Sequence, residues 1–156
     1  MTVVLPITLT IAGAAALINV WIAGRVASVR RRTGIVIGDG GNEALAARMR
    51  AHSNFIEYAP LFLILLGLVE LAGGSHIWLW LAGVAFVLGR VLHVFGMDRS
   101  TLNPLRGIGI GLTLLSLLGV AFYALAIPYL HKEGRETITY ARASTLSATN
   151  GLVRRS

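Results

Sequence analysis

MTVVLPITLTIAGAAALINVWIAG, Met1 to Gly24, contains no charged residue, and RVASVRRR, Arg25 to Arg32, follows at once with four arginines. Crossing the hydrocarbon core of a bilayer takes roughly 20 helical residues, so the apolar run is long enough. A cleaved secretory signal carries its positive charges ahead of the apolar run, whereas here they come after it. The segment is predicted to be a retained anchor with its N-terminus outside, because arginines flanking a span stay on the cytoplasmic side.

Three further apolar stretches follow. One runs from about Asn54 to Ala72, interrupted by Glu57, and ends in the turn composition Gly73-Gly74-Ser75. Another covers about Ile77 to Met97 and carries Arg90 and His93; the last, Gly107 to His131, has no formal charge with histidine neutral. Backbone in lipid must satisfy its own hydrogen bonds, and the period-2 alternation of membrane strands is missing. The fold class is therefore all-α, an integral membrane four-helix bundle. Composition agrees: 55% of the 156 residues are apolar, 13% are charged and the mean hydropathy is +0.72. A water-soluble globule of this size could not hide that much apolar surface.

The chain has no cysteine, which excludes disulfide scaffolds, cysteine-ligated metal centres and a protein thiol nucleophile. Its net charge of +7 brackets the apolar segments and forms no stripe beside stacking aromatics, so no nucleic-acid partner is expected. Arg25 to Arg50 holds six arginines and Asp98 to Arg106 two, against Lys132, Arg135 and Arg142 on the opposite side. This places both basic loops in the cytoplasm and both termini on the non-cytoplasmic side. Gly34 to Gly41 reads as a turn, and Glu43 to Arg50 as helix leading into the second crossing. Without a Lys-Ser/Thr ending or a preceding strand, the glycine run is no phosphate cradle. Residues 1–131 form the membrane domain, and 132–156, rich in Thr, Ser, Ala and Arg, are expected to be a mobile tail.

Arg50, Asn54 and Glu57 are spaced by four and three, which puts them on one helical face near the cytoplasmic start of the second crossing. Arg90, His93 and Met97 share a face near the cytoplasmic end of the third, and Arg106 opens the fourth. An unpaired charge at membrane depth costs on the order of 3 kcal/mol, so Glu57 and Arg90 must face the bundle, water or each other. They form either an interhelical ion pair that holds helices together or part of a site. Arg50, Arg90 and Arg106 exceed what Glu57 can neutralise, and arginine grips carboxylates through paired hydrogen bonds. Glu57 and Asn54 are left to hold an ammonium or amide, so a small peptide bearing both charges fits better than a phosphate. His93 is either a ligand contact or proton shuttle, or a packing residue bonded across the bundle. His52 and His93 lack a metal-ligand partner on their own helices, and no metal is expected. Gly107-x-x-x-Gly111 is a spacing that lets helices approach closely. Trp21, Trp78 and Trp80 read as interfacial anchors, and Glu70 as solvated at the opposite boundary.

Arg50-Ala51-His52-Ser53-Asn54-Phe55-Ile56-Glu57-Tyr58-Ala59-Pro60-Leu61-Phe62-Leu63 resembles the second-helix motif of the membrane-associated proteins in eicosanoid and glutathione metabolism, the MAPEG family. Its Arg-Ala-His-x-Asn-x-x-Glu frame is the specific part. Gly89-Arg90-Val91-Leu92-His93 resembles that family's third-helix Gly-Arg-x-x-His, and Pro104-Leu105-Arg106 its arginine at the start of the fourth helix. Gly38-Asp39-Gly40-Gly41 looks like the bacterial branch, and the match spans about residues 1 to 131.

The resemblance implies a homotrimer in the bacterial inner membrane, touching membrane lipid and binding glutathione between neighbouring chains in a pocket open to the cytoplasmic side. Arg50, Asn54, Glu57, Arg90 and His93 match glutathione-binding positions, and Arg106 the catalytic arginine that stabilises the thiolate. Arg30, or its neighbour Arg31, corresponds to a first-helix arginine that contacts the tripeptide. The implied activity is a glutathione-dependent transferase, extended to peroxidase chemistry, acting on a hydrophobic electrophile dissolved in the membrane. The alternative is a non-enzymatic relative that binds lipid or scaffolds a complex. Where several catalytic members carry a serine and tyrosines, this chain has Gly107, Met97 and Ile110; Ser100 and Thr101 are substitutes only if their loop folds back.

Overall fold

The computed structural model describes residues 3–73, 76–98 and 103–153, with side chains as far as residue 130. Ser100, Thr101 and the side chains of the expected tail from 132 onward lie outside the described residues. The elements are α1 (Pro6–Thr33), α2 (Glu43–Gly73), α3 (Ile77–Met97) and α4 (Pro104–Val153). Among the described residues, four helical segments are long and apolar enough to cross a membrane, the last of them Pro104–Leu130. The chain is an all-α protein of four candidate spans, as its sequence predicts.

The first helix does not stop where its charges begin. Its 28 residues at about 1.5 Å each span roughly 42 Å, against roughly 30 Å of hydrocarbon. The last turns, with Arg30, Arg31 and Arg32, therefore project beyond the apolar layer, at the end where the helix dipole favours cations, and Arg25 sits near its edge. Gly34 closes α1 at φ 71°, donating its N–H to the Arg30 carbonyl at 2.9 Å. The predicted turn follows: Gly38, Gly40 and Gly41 all have positive φ, and the Asp39 carboxylate accepts the Gly41 N–H at 3.0 Å. Asn42 then caps α2 by accepting the Leu45 N–H at 2.9 Å. At the head of α4, Asn103 accepts the Leu105 N–H at 3.0 Å, and Pro104, which has no N–H to lose, opens the helix.

Phe62 of α2 stacks on Phe86 of α3 with ring centroids 4.0 Å apart, in a core shared with Ile7, Ile11, Leu66 and Val120. Leu17, Leu115, Phe122 and Leu125 face outward, as apolar side chains do when the surroundings are lipid.

Two expectations are corrected. Within one subunit Gly107 and Gly111 bring no helices together, since among the described residues a Cβ at either would meet nothing within 4 Å. Gly109 does: a Cβ there would lie 2.5 Å from the His93 backbone nitrogen and 2.7 Å from the Gly89 carbonyl oxygen. Residues two apart on a helix point about 200° from each other, so the face opposite the predicted pair is the one pressed on α3. Glu70 is not solvated but 2% exposed. Its carboxylate accepts the Ile7 N–H at 3.0 Å, the Thr8 N–H at 2.8 Å and the Thr8 hydroxyl at 2.7 Å. The first N–H groups of α1 have no partner within their own helix, and the carboxylate of α2 supplies one.

Candidate functional site

At the end of the bundle that carries the α1–α2 and α3–α4 connections, Arg50, Asn54, Glu57, His93, Met97 and Arg106 line a cavity of about 220 Å³. The i, i+4, i+7 spacing on α2 supplies Arg50, Asn54 and Glu57 from one face. His93 and Met97 come from the last turns of α3. Arg106 is delivered by a close helix contact: a Cβ at Gly96 would run into the backbone nitrogen of Arg106. Only a glycine lets the first turn of α4 sit directly on α3 there. Gly109 does the same one turn on, against the backbone of His93.

Arg90 lies behind the cavity wall and is fully buried. Its Nη2 donates to Asn54 Oδ1 at 2.7 Å and its Nη1 to Thr113 Oγ1 at 3.3 Å. The guanidinium carbon sits 5.8 Å from the ring centroids of both Phe55 and Tyr58, within cation–π reach. Of the two roles open to Glu57 and Arg90, the direct ion pair is not formed. The ion pairs among the described residues join Arg25 and Arg48 to Asp98. Asn54 and Thr113 take the place a carboxylate would have held, and Glu57 stays exposed on the cavity rim.

Five of the seven sequence-predicted positions thus share one cavity, and Arg90 touches it through Asn54. Arg30 does not line it. Its Nη1 donates to the carbonyls of Ile35 and Val36 at 3.2 and 2.8 Å, and its Nη2 meets the Met49 sulfur at 3.4 Å, which pins the α1–α2 turn. His52 bonds Asn19 of α1 at 2.9 Å. Thr113 escaped sequence reading; the signal was a hydroxyl within an apolar span, four residues after the glycine that packs on α3.

Two guanidinium groups, those of Arg50 and Arg106, and one carboxylate line the cavity, with the guanidinium of Arg90 behind its wall, and a guanidinium can only donate hydrogen bonds. The arrangement can hold a ligand with more than one carboxylate, with Glu57 as acceptor for its ammonium. It can also stabilise a thiolate, because a nearby cation favours the ionised thiol. Among the described residues, no side chain lining the cavity carries a hydroxyl.

The model of the MAPEG family matches residues 8–126. The chain is also similar to the inner membrane protein YecN of Escherichia coli (strain K12), 28% identical over 93 residues that cover 60% of this chain and 70% of that protein. The YecN protein of Escherichia coli O6:H1 is similar to the same extent.

Proposed function

We propose, from membership of the MAPEG family, to which this chain belongs, that it is a glutathione-dependent transferase of the bacterial inner membrane, assembled as a homotrimer with both termini outside. The observation that carries the reading is the cavity where Arg50, Asn54, Glu57, His93 and Arg106 converge with Arg90 behind them. Glutathione offers two carboxylates to the surplus donors, an ammonium to Glu57, and a thiol. At about 220 Å³ the cavity is smaller than the roughly 300 Å³ at which small-molecule sites usually begin. Its exposed rim residues Arg50, Glu57 and Arg106 invite a neighbouring subunit to complete it.

In this reading Arg106 favours the thiolate, each tenfold gain in ionisation corresponding to about 1.4 kcal/mol of preferential interaction. The thiol proton passes to solvent. The sulfur lone pair then forms a bond to an electrophilic carbon of an apolar molecule arriving from the bilayer, and the leaving group departs with its electron pair. Reduction of lipid hydroperoxides by the same thiolate is the natural extension. The neighbouring inner-membrane relative supports the location.

A second reading, a non-enzymatic protein that binds lipid or scaffolds a complex, is favoured by one observation. Among the described residues, Met97 and no hydroxyl joins Arg106 in the lining. The two separate in detergent solution. The transferase reading expects glutathione-dependent thiolate absorbance and conjugation of a generic electrophile, both abolished by Arg106→Ala. Wild type and variant equally silent, with glutathione still protecting the protein against heat, selects the binding-only reading.

A further inference from the structure

We propose that Thr113 is a positioning residue that anchors the Arg90 guanidinium, which in turn holds the Asn54 amide with its nitrogen toward the cavity, so that Asn54 donates a hydrogen bond to a carboxylate of the ligand; this rests on the glutathione reading above. Arginine has no acceptor, so the Asn54 atom 2.7 Å from Arg90 Nη2 must be the oxygen. The amide nitrogen, with two N–H groups, is what Asn54 has left for the cavity it lines. That reverses the sequence expectation, in which Asn54 helped Glu57 to hold an ammonium.

Arg90 donates in both directions, and the far end of the chain of bonds is built to accept from it. Thr113 is fully buried and donates its only hydroxyl proton to the Gly109 carbonyl at 2.8 Å. Its oxygen is therefore free to act only as acceptor, which suits Arg90 Nη1 at 3.3 Å. The register of Thr113 is fixed by contact of α4 with α3, where a Cβ at Gly89 would lie 3.1 Å from the Thr113 nitrogen. From Gly109 through Thr113 and Arg90 to Asn54, each link can run one way only, and it crosses α4, α3 and α2. Arg90 would otherwise be a long side chain with several rotamers. Held at both ends, it turns Asn54 into a fixed donor beside Arg50 and Arg106, leaving Glu57 as the carboxylate acceptor. The ligand is then read by charge order: carboxylates toward the arginines and Asn54, ammonium toward Glu57.

The test is equilibrium binding of glutathione and of its glycyl and γ-glutamyl monoesters to the full-length protein in detergent. Asn54→Asp keeps an oxygen for Arg90 but replaces the donor by a carboxylate oxygen. It is expected to weaken glutathione binding by about tenfold or more, and to lose most of that penalty with the monoester that lacks the contacted carboxylate. Thr113→Val removes the hydroxyl at constant shape and is expected to show the same ester-selective loss at about three- to tenfold, with Thr113→Ser restoring affinity. Asn54→Asp binding like the wild type overturns this inference alone. So does a Thr113→Val loss that is equal for all three ligands, which marks a merely structural residue. Wild-type protein that binds no glutathione overturns the proposed function and this inference with it.

Discussion

Removing the Glu70 carboxylate should unfasten α1 from the bundle. Glu70→Ala deletes the acceptor of two backbone N–H groups and one hydroxyl at the start of that helix. The Ile7 N–H cannot turn to water instead, because Ile7 is fully buried. A hydrogen bond to a charged acceptor contributes about 1.5–3 kcal/mol, and a stranded buried donor costs about 1–3 kcal/mol. The three bonds share one carboxylate and do not add, so the loss is about 3–5 kcal/mol, one charge-assisted hydrogen bond together with a stranded buried donor. By the scale of soluble chains of this length, where 1 kcal/mol moves the midpoint by roughly 2–4 °C, even 3 kcal/mol is roughly 6–12 °C. Glu70→Gln should fall between, since it keeps shape and one oxygen but loses the charge. Thermal unfolding in detergent measures the size of the effect. Hydrogen exchange gives its location: the amides of Ile7 and Thr8 should lose protection while those of Phe86 and Val94 keep it. A midpoint within about 2 °C of the wild type, with Ile7 and Thr8 still protected, refutes the reasoning.

Other consequences concern the contact of α3 with α4 and the polar rim. Gly109→Ala forces a methyl group onto the His93 backbone and should cost about 1–3 kcal/mol or more. Gly111→Ala, which meets open space, should be neutral or stabilising by up to about 1 kcal/mol; parallel melts in one detergent compare them, and equal losses would disprove the packing asymmetry. Asp98→Asn removes the partner of Arg25 and Arg48, but the carboxylate is one-third exposed. It should cost less than about 1 kcal/mol, an effect that shrinks further as salt is raised in the melt.

The four crossings were legible because apolar runs of membrane length leave the backbone no other solution, and the site's helical face because arginine, asparagine and glutamate recur at turn spacing. What escaped reading was decided by partners distant in sequence. Glu70 looked like a boundary residue because nothing near it announces that the start of α1, more than 60 residues away, needs an acceptor. The Gly107 and Gly111 pair matched a helix-contact spacing, yet that pattern cannot say which side of α4 meets α3; the single Gly109 between them does the work. Arg90 and Glu57 were natural partners by charge, but Asn54 lies on the same face of α2 and reaches the guanidinium. Opposite charges on neighbouring helices predict attraction, not contact.

The exposure of the cavity rim carries a physical argument about the state in which the protein works. Counting back from Gly73 at about 1.5 Å per residue, roughly 30 Å of hydrocarbon ends near Ser53, about one turn before Glu57. A carboxylate at that depth cannot face acyl chains bare without a cost, smaller than the roughly 3 kcal/mol of the bilayer centre but still unfavourable, and Arg106 lines the same cavity. Inside one subunit the two are not paired, and Arg90 is already bonded to Asn54 and Thr113. The remaining ways to satisfy the rim are water, a ligand, or the polar surface of another copy, and the proposed homotrimer supplies the last two together. Glu57→Gln therefore separates assembly from binding: it should weaken glutathione binding while leaving the oligomer, measured by mass in detergent, intact. Dissociation of the oligomer with unchanged affinity per remaining site would make Glu57 an interface residue and remove it from the site.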